Sequence, residues 1–384
     1  MIEPFQVAVA EPDLTDLGER LKHTRWPDQI AGTGWDYGTD LEYLRELCGY
    51  WANGFDWRAA ESRLNSWPNA TTTIDGQRIH FIHARAEDPG ALPLLVLHGW
   101  PGSVTEMVKI IEPLRAPVGG GADAADSFHV VCASLPGFGF SGPTHERGWH
   151  PRRIAAAMVV LMDRLGYPRF GCLGGDWGAT TSNYMALDFP ERLSGLYLTM
   201  VATGPPEGSD GSELNDEEQQ WLAASAAFFA EESGYLQMQG TRPQTLAYAL
   251  NDSPAGLAGW IVEKFRAWSD CDGDLEKAIS RDDVLADITL YWVTGTANSA
   301  SRLYLEAMRA GQFQPIPERI EVPTGAAIFP QETVKSPRAW AEQAWNIKRW
   351  TVMPKGGHFA ALEVPDLLVD DVRAFYRDLR SATA

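Results

Sequence analysis

The stretch RFGCLGGDWGATTSNYMALDF, residues 169–189, reads as a short apolar strand from Arg169 to Gly174 and a helix from Ala179 to Phe189. Gly174-Gly175-Asp176-Trp177-Gly178 joins them. Small residues two before and two after a central side chain are what a sharp strand-to-helix corner needs. They let strand and helix approach closely while a strained backbone pushes the central side chain outward. The corner has the form of a nucleophile elbow, with Asp at its centre instead of Ser. An Asp ahead of a helix is ordinarily only a cap, so the surrounding pattern has to carry the argument.

On the amino-terminal side, Leu92–His98 and Phe128–Ser134 read as buried strands. Between them a helix runs from Ser103 to Leu114, with Val104, Met107, Val108 and Ile111 at helical spacing. Pro151–Leu165 is a further helix, and Ser194–Val201 a strand on the other side of the corner. This alternation predicts a parallel sheet covered on both faces. From Gly204 to Val322 it stops, and a mostly helical segment rich in Trp, Tyr and Phe takes over. Its clearest helix start is Asn251-Asp252-Ser253-Pro254. Strands resume at Thr324–Phe329 and Trp350–Met353, and a helix closes the chain after Pro365. The first 70 residues carry Trp26, Trp35, Trp51, Trp57 and Trp67, and Thr72–Ala84 with its Asp75-Gly76 turn reads as a hairpin. The expected organisation is a wrapping segment at 1–70, a core at 71–203, a helical cap at 204–322 and the rest of the core at 323–384. Gly119–Asp126 reads as a surface loop.

With 384 residues and 45% hydrophobic content, the chain can bury a large core and an accessory layer. Its 32 basic against 51 acidic side chains leave a net charge of −19, which opposes phosphate backbones and anionic lipid surfaces, so no nucleic-acid partner is expected. The scattered cysteines Cys48, Cys132, Cys172 and Cys271 suit a reducing, cytoplasmic setting. The opening MIEPFQVAVAEPDLTDLGERL has no basic leader and no long apolar run, so no membrane association is expected either. Gly137, Gly139 and Gly142 have dinucleotide-type spacing but meet Pro143 instead of a helix. No segment has metal-ligand spacing, and neither a cofactor nor a metal is expected.

A carboxylate at the corner restricts the chemistry. A serine attacking a saturated carbon would leave an ether, whereas a carboxylate leaves an ester that water can cleave, so the expected electrophile is an alkyl carbon. The carboxylate is already ionised at neutral pH, which frees a histidine to activate water in a second step. His358, in Lys355-Gly356-Gly357-His358-Phe359 directly after the last expected strand, stands where that base is needed. His80, His83, His129, His145 and His150 read as structural, and His98 as a hydrogen-bonding group. The acid that orients the imidazole should follow the strand Thr324–Phe329, as Glu332 does. Glu321 precedes that strand, while Glu306 and Asp287 fall in the insertion. Nucleophile, acid, histidine is the chain order of α/β-hydrolases. Oxyanion stabilisation calls for the amide after the nucleophile, that of Trp177, and one from the loop after an earlier strand, where Trp100 sits in His98-Gly99-Trp100-Pro101-Gly102.

Four segments, HGWPGS at 98–103, LPGFGFSGP at 135–143, GGDWG at 174–178 and GGHFAALE at 356–363, together resemble the epoxide hydrolases of the microsomal type. The Trp-rich amino-terminal segment looks like that family's N-terminal domain, and residues 233–268 resemble its cap. The likeness runs over residues 4–380. It implies an α/β-hydrolase fold with a mostly parallel central sheet, and conversion of a small-molecule epoxide and water to a vicinal diol through an aspartyl ester. It implies catalytic roles for Asp176, His358 and Glu332, and it places on Tyr235 and Tyr304 the two cap phenols that donate to the epoxide oxygen. Tyr248 and Tyr291 are the fallback positions. Phenols suit the task because ring opening generates an alkoxide. The aromatic cap points to an aromatic or bulky apolar substrate, with secondary-metabolite (antibiotic) biosynthesis as its setting, and a homodimer is compatible with the sequence. Membrane-bound members carry an N-terminal anchor; here the chain starts at the soluble part, and the anchor is not carried over.

The rival reading is a haloalkane dehalogenase, which uses the same Asp but holds its departing halide on indole or amide N–H groups. The two tyrosines and the amino-terminal segment favour the epoxide. A non-catalytic protein on the same fold would have lost the nucleophile, base or acid, and a serine esterase would need a Gly-x-Ser-x-Gly elbow that is absent from this sequence.

Overall fold

Leu92–Leu97 is apolar throughout and buried from its third residue, and Phe128–Ala133 and Phe170–Gly174 are buried at every position. Unbroken apolar runs, in place of alternation, are what a parallel sheet with both faces covered demands of its strands. The computed structural model describes residues 1–117, 123–209, 211–212, 214–316 and 318–383. Among these residues nine strands form one sheet: β1 (Ile2–Phe5), β2 (Asn69–Ile74), β3 (Gln77–Ala84), β4 (Leu92–Leu97), β5 (Phe128–Ala133), β6 (Phe170–Gly174), β7 (Leu193–Leu198), β8 (Ile320–Ile328) and β9 (Trp345–Val352). Their spatial order is β1-β2-β3-β5-β4-β6-β7-β8-β9. The first three pair antiparallel with one another and with β5, and every pairing from β5 onward is parallel.

Strand order reverses at β4, and in such sheets a crevice opens outside the carboxyl ends at the reversal. There Leu97 of β4 sits beside Gly174 of β6. The loops that leave these two residues therefore start side by side.

Three helices, α1 (Glu11–Lys22), α2 (Leu41–Asn53) and α3 (Trp57–Asn65), lie between β1 and β2. Next come α4 (Val108–Arg115) after β4, α5 (Pro151–Arg164) after β5 and α6 (Asp176–Asp188) after β6. Between β7 and β8 lie α7 (Asp216–Glu231), α8 (Gly234–Thr241), α9 (Pro243–Leu250), α10 (Pro254–Trp268), α11 (Arg281–Thr294) and α12 (Ala297–Arg309). Finally α13 (Arg338–Ala344) precedes β9, and α14 (Ala360–Glu363) and α15 (Pro365–Thr383) follow it. Helix α10 begins as its sequence predicts: Ser253 Oγ accepts the Gly256 N–H at 2.9 Å, with Pro254 in the first turn. The β2–β3 hairpin turns through Asp75 and Gly76 at φ 49° and 75°, the double left-handed geometry that matches strand twist. The amino-terminal segment is fastened to α11. Trp51 Nε1 donates to Thr289 Oγ1 at 2.9 Å, Tyr50 Oη to Asp282 at 2.8 Å and Arg63 to Asp283 at 2.8 Å.

Several local expectations shift. The Ser103–Leu114 helix opens as a 3₁₀ turn, Val104–Met107, before α4 takes over. α6 starts at Asp176 itself, three residues earlier than its apolar periodicity suggests, because the elbow leads straight into helical hydrogen bonding with Ala179 N–H on Gly175 O. β8 starts at Ile320, with a register irregularity before Pro323, so the expected cap boundary at 322 falls inside a strand. β9 starts at Trp345, well before Trp350, since an edge strand with one wet face carries Asn346, Lys348 and Arg349. Of the expected loop Gly119–Asp126, residues 118–122 lie outside the described residues. Its end is a 3₁₀ turn whose Asp126 is buried under Arg377 and Arg380 instead of facing solvent. Among the described residues no helix is long and apolar enough to cross a membrane.

Candidate active site

Asp176 sits at the corner between β6 and α6 with φ 47°, left-handed backbone that costs a non-glycine residue of order 1–3 kcal/mol. The surroundings enforce it. A Cβ on Gly178 would lie 2.2 Å from Leu97 O and one on Gly174 2.6 Å from the Gly178 backbone, so only glycine lets helix and strand come this close. The N-cap position of α6 falls on Gly175, one residue before Asp176. Asp176 Oδ1 accepts the Trp100 N–H at 2.8 Å, and the Trp177 amide also favours its charge. Gly99 passes so near that a Cβ there would lie 2.1 Å from Oδ1.

His358 is delivered by the Gly356-Gly357 loop after β9. Gly357 has no room for a side chain, since a Cβ would lie 2.4 Å from Trp268 O at the end of α10. That same carbonyl accepts the His358 N–H at 2.9 Å, which ties the loop to the cap. His358 Nδ1 is 2.7 Å from Glu332 Oε1, and Nε2 is 3.6 Å from Asp176 Oδ2. Glu332 lies on the loop after β8, where its Oε1 also accepts the Thr333 N–H at 2.7 Å and hydroxyl at 3.0 Å. Gln331 N–H donates to Gly356 O at 3.1 Å and locks the two loops in register. A carboxylate only accepts, so Nδ1 carries the hydrogen and Nε2 faces Asp176.

Burial works against the charged imidazole, but the charge and hydrogen bond of Glu332, and then the charge of Asp176, outweigh it and hold the His358 pKa up at about 9. Burial also raises Asp176 above the ordinary carboxylate value, opposed by His358 and by the amides of Trp100 and Trp177. The imidazole therefore faces two acids, one fixed by hydrogen bonds and one at the edge of a cavity.

Tyr235 on α8 and Tyr304 on α12 stand over this edge. Tyr235 stacks on Trp100 with ring centroids 5.1 Å apart and planes 8° apart, and Tyr304 meets Trp177 edge-on at 4.7 Å. The two phenol rings are 5.9 Å apart, nearly perpendicular. Burial, reinforced by neighbouring groups that include Asp176, raises both phenol pKa values, so both remain protonated donors. Asp176, Tyr235 and Tyr304 line a cavity of about 410 Å³ together with Trp177, Met200, Phe228, Phe313, Ile316 and Trp345; Asn183 and Thr180 are among its polar groups.

The positions set aside from the sequence lie elsewhere. Tyr248 is exposed, and Tyr291 donates to Gly102 O at 2.9 Å. Glu306 accepts the Gly148 N–H, Asp287 pairs with Thr105, and His98 has both ring nitrogens engaged, by Gly99 O and Leu135 N–H. Two groups carry no expectation from sequence. One is the Trp268 carbonyl, a backbone contact made by tertiary packing. The other is Glu106, buried on the 3₁₀ turn three residues beyond the HGWPGS segment, where an acid so close to a glycine-rich active-site loop was the available signal. Among the described residues no group of three His, Cys, Asp or Glu side chains is placed to hold a metal ion.

Residues 2–107 match the family described as the epoxide hydrolase N terminus, and residues 93–235 match the α/β hydrolase fold family. A Stigmatella aurantiaca (strain DW4/3-1) protein, provisionally named an epoxide hydrolase, is 45% identical over 99% of this chain and 86% of its own length. Epoxide hydrolase 1 of Oryctolagus cuniculus is 36% identical over 97% of this chain and 88% of that protein. The crystal structure of juvenile hormone epoxide hydrolase from the silkworm Bombyx mori superposes with a TM-score of 0.93 at 30% identity, covering 100% of this chain and 96% of that one. These likenesses extend over both the core and the cap, and the chain belongs to the microsomal-type epoxide hydrolases, which are hydrolases built on the α/β-hydrolase fold.

Proposed function

We propose that this epoxide hydrolase converts an aromatic or bulky apolar epoxide to a vicinal diol through a covalent ester on Asp176. In the first step Asp176 Oδ2 attacks a ring carbon while Tyr235 and Tyr304 hydrogen-bond the ring oxygen, and one of them protonates the alkoxide as the C–O bond breaks. In the second step His358, oriented by Glu332, takes a proton from water as the water oxygen adds to the ester carbonyl carbon. The oxyanion so formed is held by the Trp100 and Trp177 amides. Collapse breaks the ester C–O bond as His358 returns its proton to the departing diol oxygen, and the second water proton, left on the Asp176 carboxyl, passes to the tyrosinate formed in the first step, which restores both carboxylate and phenol.

One observation carries the reading. Asp176 lines the same cavity as two protonated phenols and lies 3.6 Å from the imidazole, so one carboxylate is in reach of both half-reactions. Esterification also removes the Asp176 charge that helps keep His358 protonated, so the base becomes available when it is needed. The apolar and aromatic walls of the 410 Å³ cavity favour a bulky apolar substrate. A secondary-metabolite pathway, as proposed from the sequence, would supply that class. The four cysteines are free and buried, which supports a reducing setting. The test is intact-protein mass spectrometry with racemic styrene oxide. His358→Gln should accumulate an adduct of substrate mass and Asp176→Asn should form none; absence of the adduct in the histidine variant would overturn the ester mechanism.

A further inference from the structure

The large cavity runs along one face of α6. Asp176, Thr180 and Asn183 all line it, and their spacing of four and then three residues puts them on one side of the helix. At about 1.5 Å of rise per residue, Asn183 stands roughly 10 Å along the axis from the nucleophile. A substrate whose reacting carbon lies at Asp176 therefore meets Asn183 with its far end.

The Asn183 amide is oriented from behind. Trp345 Nε1 donates to its Oδ1 at 3.0 Å, and an indole N–H can only donate, so the amide oxygen is the atom that faces Trp345. The Asn183 N–H groups then have no acceptor among the described residues. The threonine hydroxyls of the same wall are spent within the protein. Thr180 Oγ1 donates to Asp176 O at 3.5 Å, Thr203 Oγ1 to Gly204 O at 3.4 Å and Thr333 Oγ1 to Glu332 Oε1 at 3.0 Å. Gln312 is turned as Asn183 is, its Oε1 accepting the Arg152 N–H at 3.0 Å, but it lies off the α6 register that sets the distance from Asp176. A wholly apolar guest would leave the Asn183 donors without partners inside the cavity, whereas one acceptor oxygen at the right reach satisfies them.

We infer that Asn183 determines specificity by donating to an oxygen of the ketone, ester or amide type, carried roughly 10 Å from the epoxide carbon on an otherwise apolar substrate. This deepens the ester reading above and rests on it. The oxygen undergoes no chemistry. Its bond to Asn183 fixes which end of a long substrate enters first and how far the ring advances toward Asp176. Because the contact is made before and during alkylation, its effect belongs in kcat/KM.

The experiment compares two probes on the full-length enzyme: a straight-chain terminal epoxide of ten carbons, and the same molecule with a ketone at the ninth carbon, whose extended chain carries the oxygen to that reach. The parent should prefer the ketone by about 5- to 50-fold in kcat/KM, the worth of one hydrogen bond to an otherwise unpaired donor. Two variants test the source of the preference. Asn183→Leu removes the donors. Asn183→Asp removes them while keeping an oxygen for Trp345 Nε1, and at neutral pH its half-buried carboxylate is ionised. In both variants the ratio of the two probes should fall close to one. A substitution that only disturbs packing slows both probes together and leaves the ratio at its parental value, and that result overturns the assignment, as does a parent without preference. If Asn183→Leu does not fold, Asn183→Asp decides by the same ratio. Turnover of styrene oxide but of neither long probe also overturns it, since a substrate would then not reach Asn183. Intact-mass analysis of His358→Gln with the ketone and with styrene oxide separates the two failures. No adduct with either removes the ester reading and this inference with it, whereas an adduct there together with a parent that shows no ketone preference removes only the role of Asn183.

Discussion

His358 Nδ1 lies 2.7 Å from Glu332 Oε1, and both side chains are buried. The contact fixes the ring orientation, the tautomer and the charge of the imidazole together. Glu332→Gln preserves shape while allowing an amide N–H to face Nδ1, which would turn the proton toward Nε2 and leave no base for water. We expect hydrolysis of the ester to fall by about 10²- to 10⁴-fold, with alkylation reduced far less. Single-turnover quench measurements read both rates, and equal losses in the two steps would oppose the role given to Glu332.

The two cap phenols should act on the other half-reaction. Tyr235→Phe and Tyr304→Phe each remove a donor but keep the ring that packs on Trp100 or Trp177. Each should slow alkylation by about 10- to 100-fold, and the double variant by more than either, with hydrolysis of preformed ester nearly unchanged. Circular dichroism and thermal melting should match the parent. A double variant with parental alkylation would remove both tyrosines from the chemistry.

How much of this was legible beforehand depends on range. The corner at 174–178 is a local signal because its glycines and Asp are consecutive, and His358 and Glu332 could be ranked by their place after expected strands. The apolar runs of β4, β5 and β6 are equally local. Tyr235 and Tyr304 had no such mark; they came from resemblance to a family, since which faces of α8 and α12 meet Trp100 and Trp177 is decided by tertiary packing. Glu106 stayed hidden because its burial comes from tertiary packing around the turn after β4, where the His358 loop lies near it. The edge strands β1 and β9 were missed or shortened because a half-exposed strand carries polar residues that blur a two-residue period.

The pH dependence of stability has a definite sign. The folded pKa of His358, about 9, exceeds the ordinary value of about 6.5, so its stabilising contribution is complete below pH 6.5 and is lost as pH rises through 9. Raised Asp176 adds in the same direction, because the folded state holds that proton more tightly than the unfolded one. Urea unfolding of the parent should therefore show a decline between pH 6.5 and 9 that is shallower in His358→Gln. Identical slopes in the two proteins would mean that the Glu332–His358–Asp176 charges do not stabilise the fold in this window.

Alkylation should also respond to acid before a free aspartate would. Burial raises the Asp176 pKa, and only its ionised form attacks, so the acid limb of the single-turnover alkylation rate should have its midpoint above 3.8. Stopped-flow rates between pH 4 and 7 locate that midpoint, and one at or below 3.8 would mean that the His358 charge, with the Trp100 and Trp177 amides, outweighs desolvation.

Two glycines near the nucleophile should fail in different ways. Gly178 packs α6 onto β4, and an added Cβ would sit 2.2 Å from the Leu97 carbonyl, a backbone atom that cannot swing aside. Gly178→Ala should therefore destabilise the protein by at least about 1–3 kcal/mol, the usual cost of overpacking, and thermal melting should show a fall of several degrees. At Gly99 an added Cβ would instead meet the Asp176 carboxylate at 2.1 Å, the end of a side chain that can rotate. Gly99→Ala should melt near the parent temperature yet lose about 100-fold or more in alkylation, because Asp176 must leave the Trp100 amide to make room. If the two variants lost stability equally, the loop at Gly99 would be holding the core together instead of shaping the path of the nucleophile.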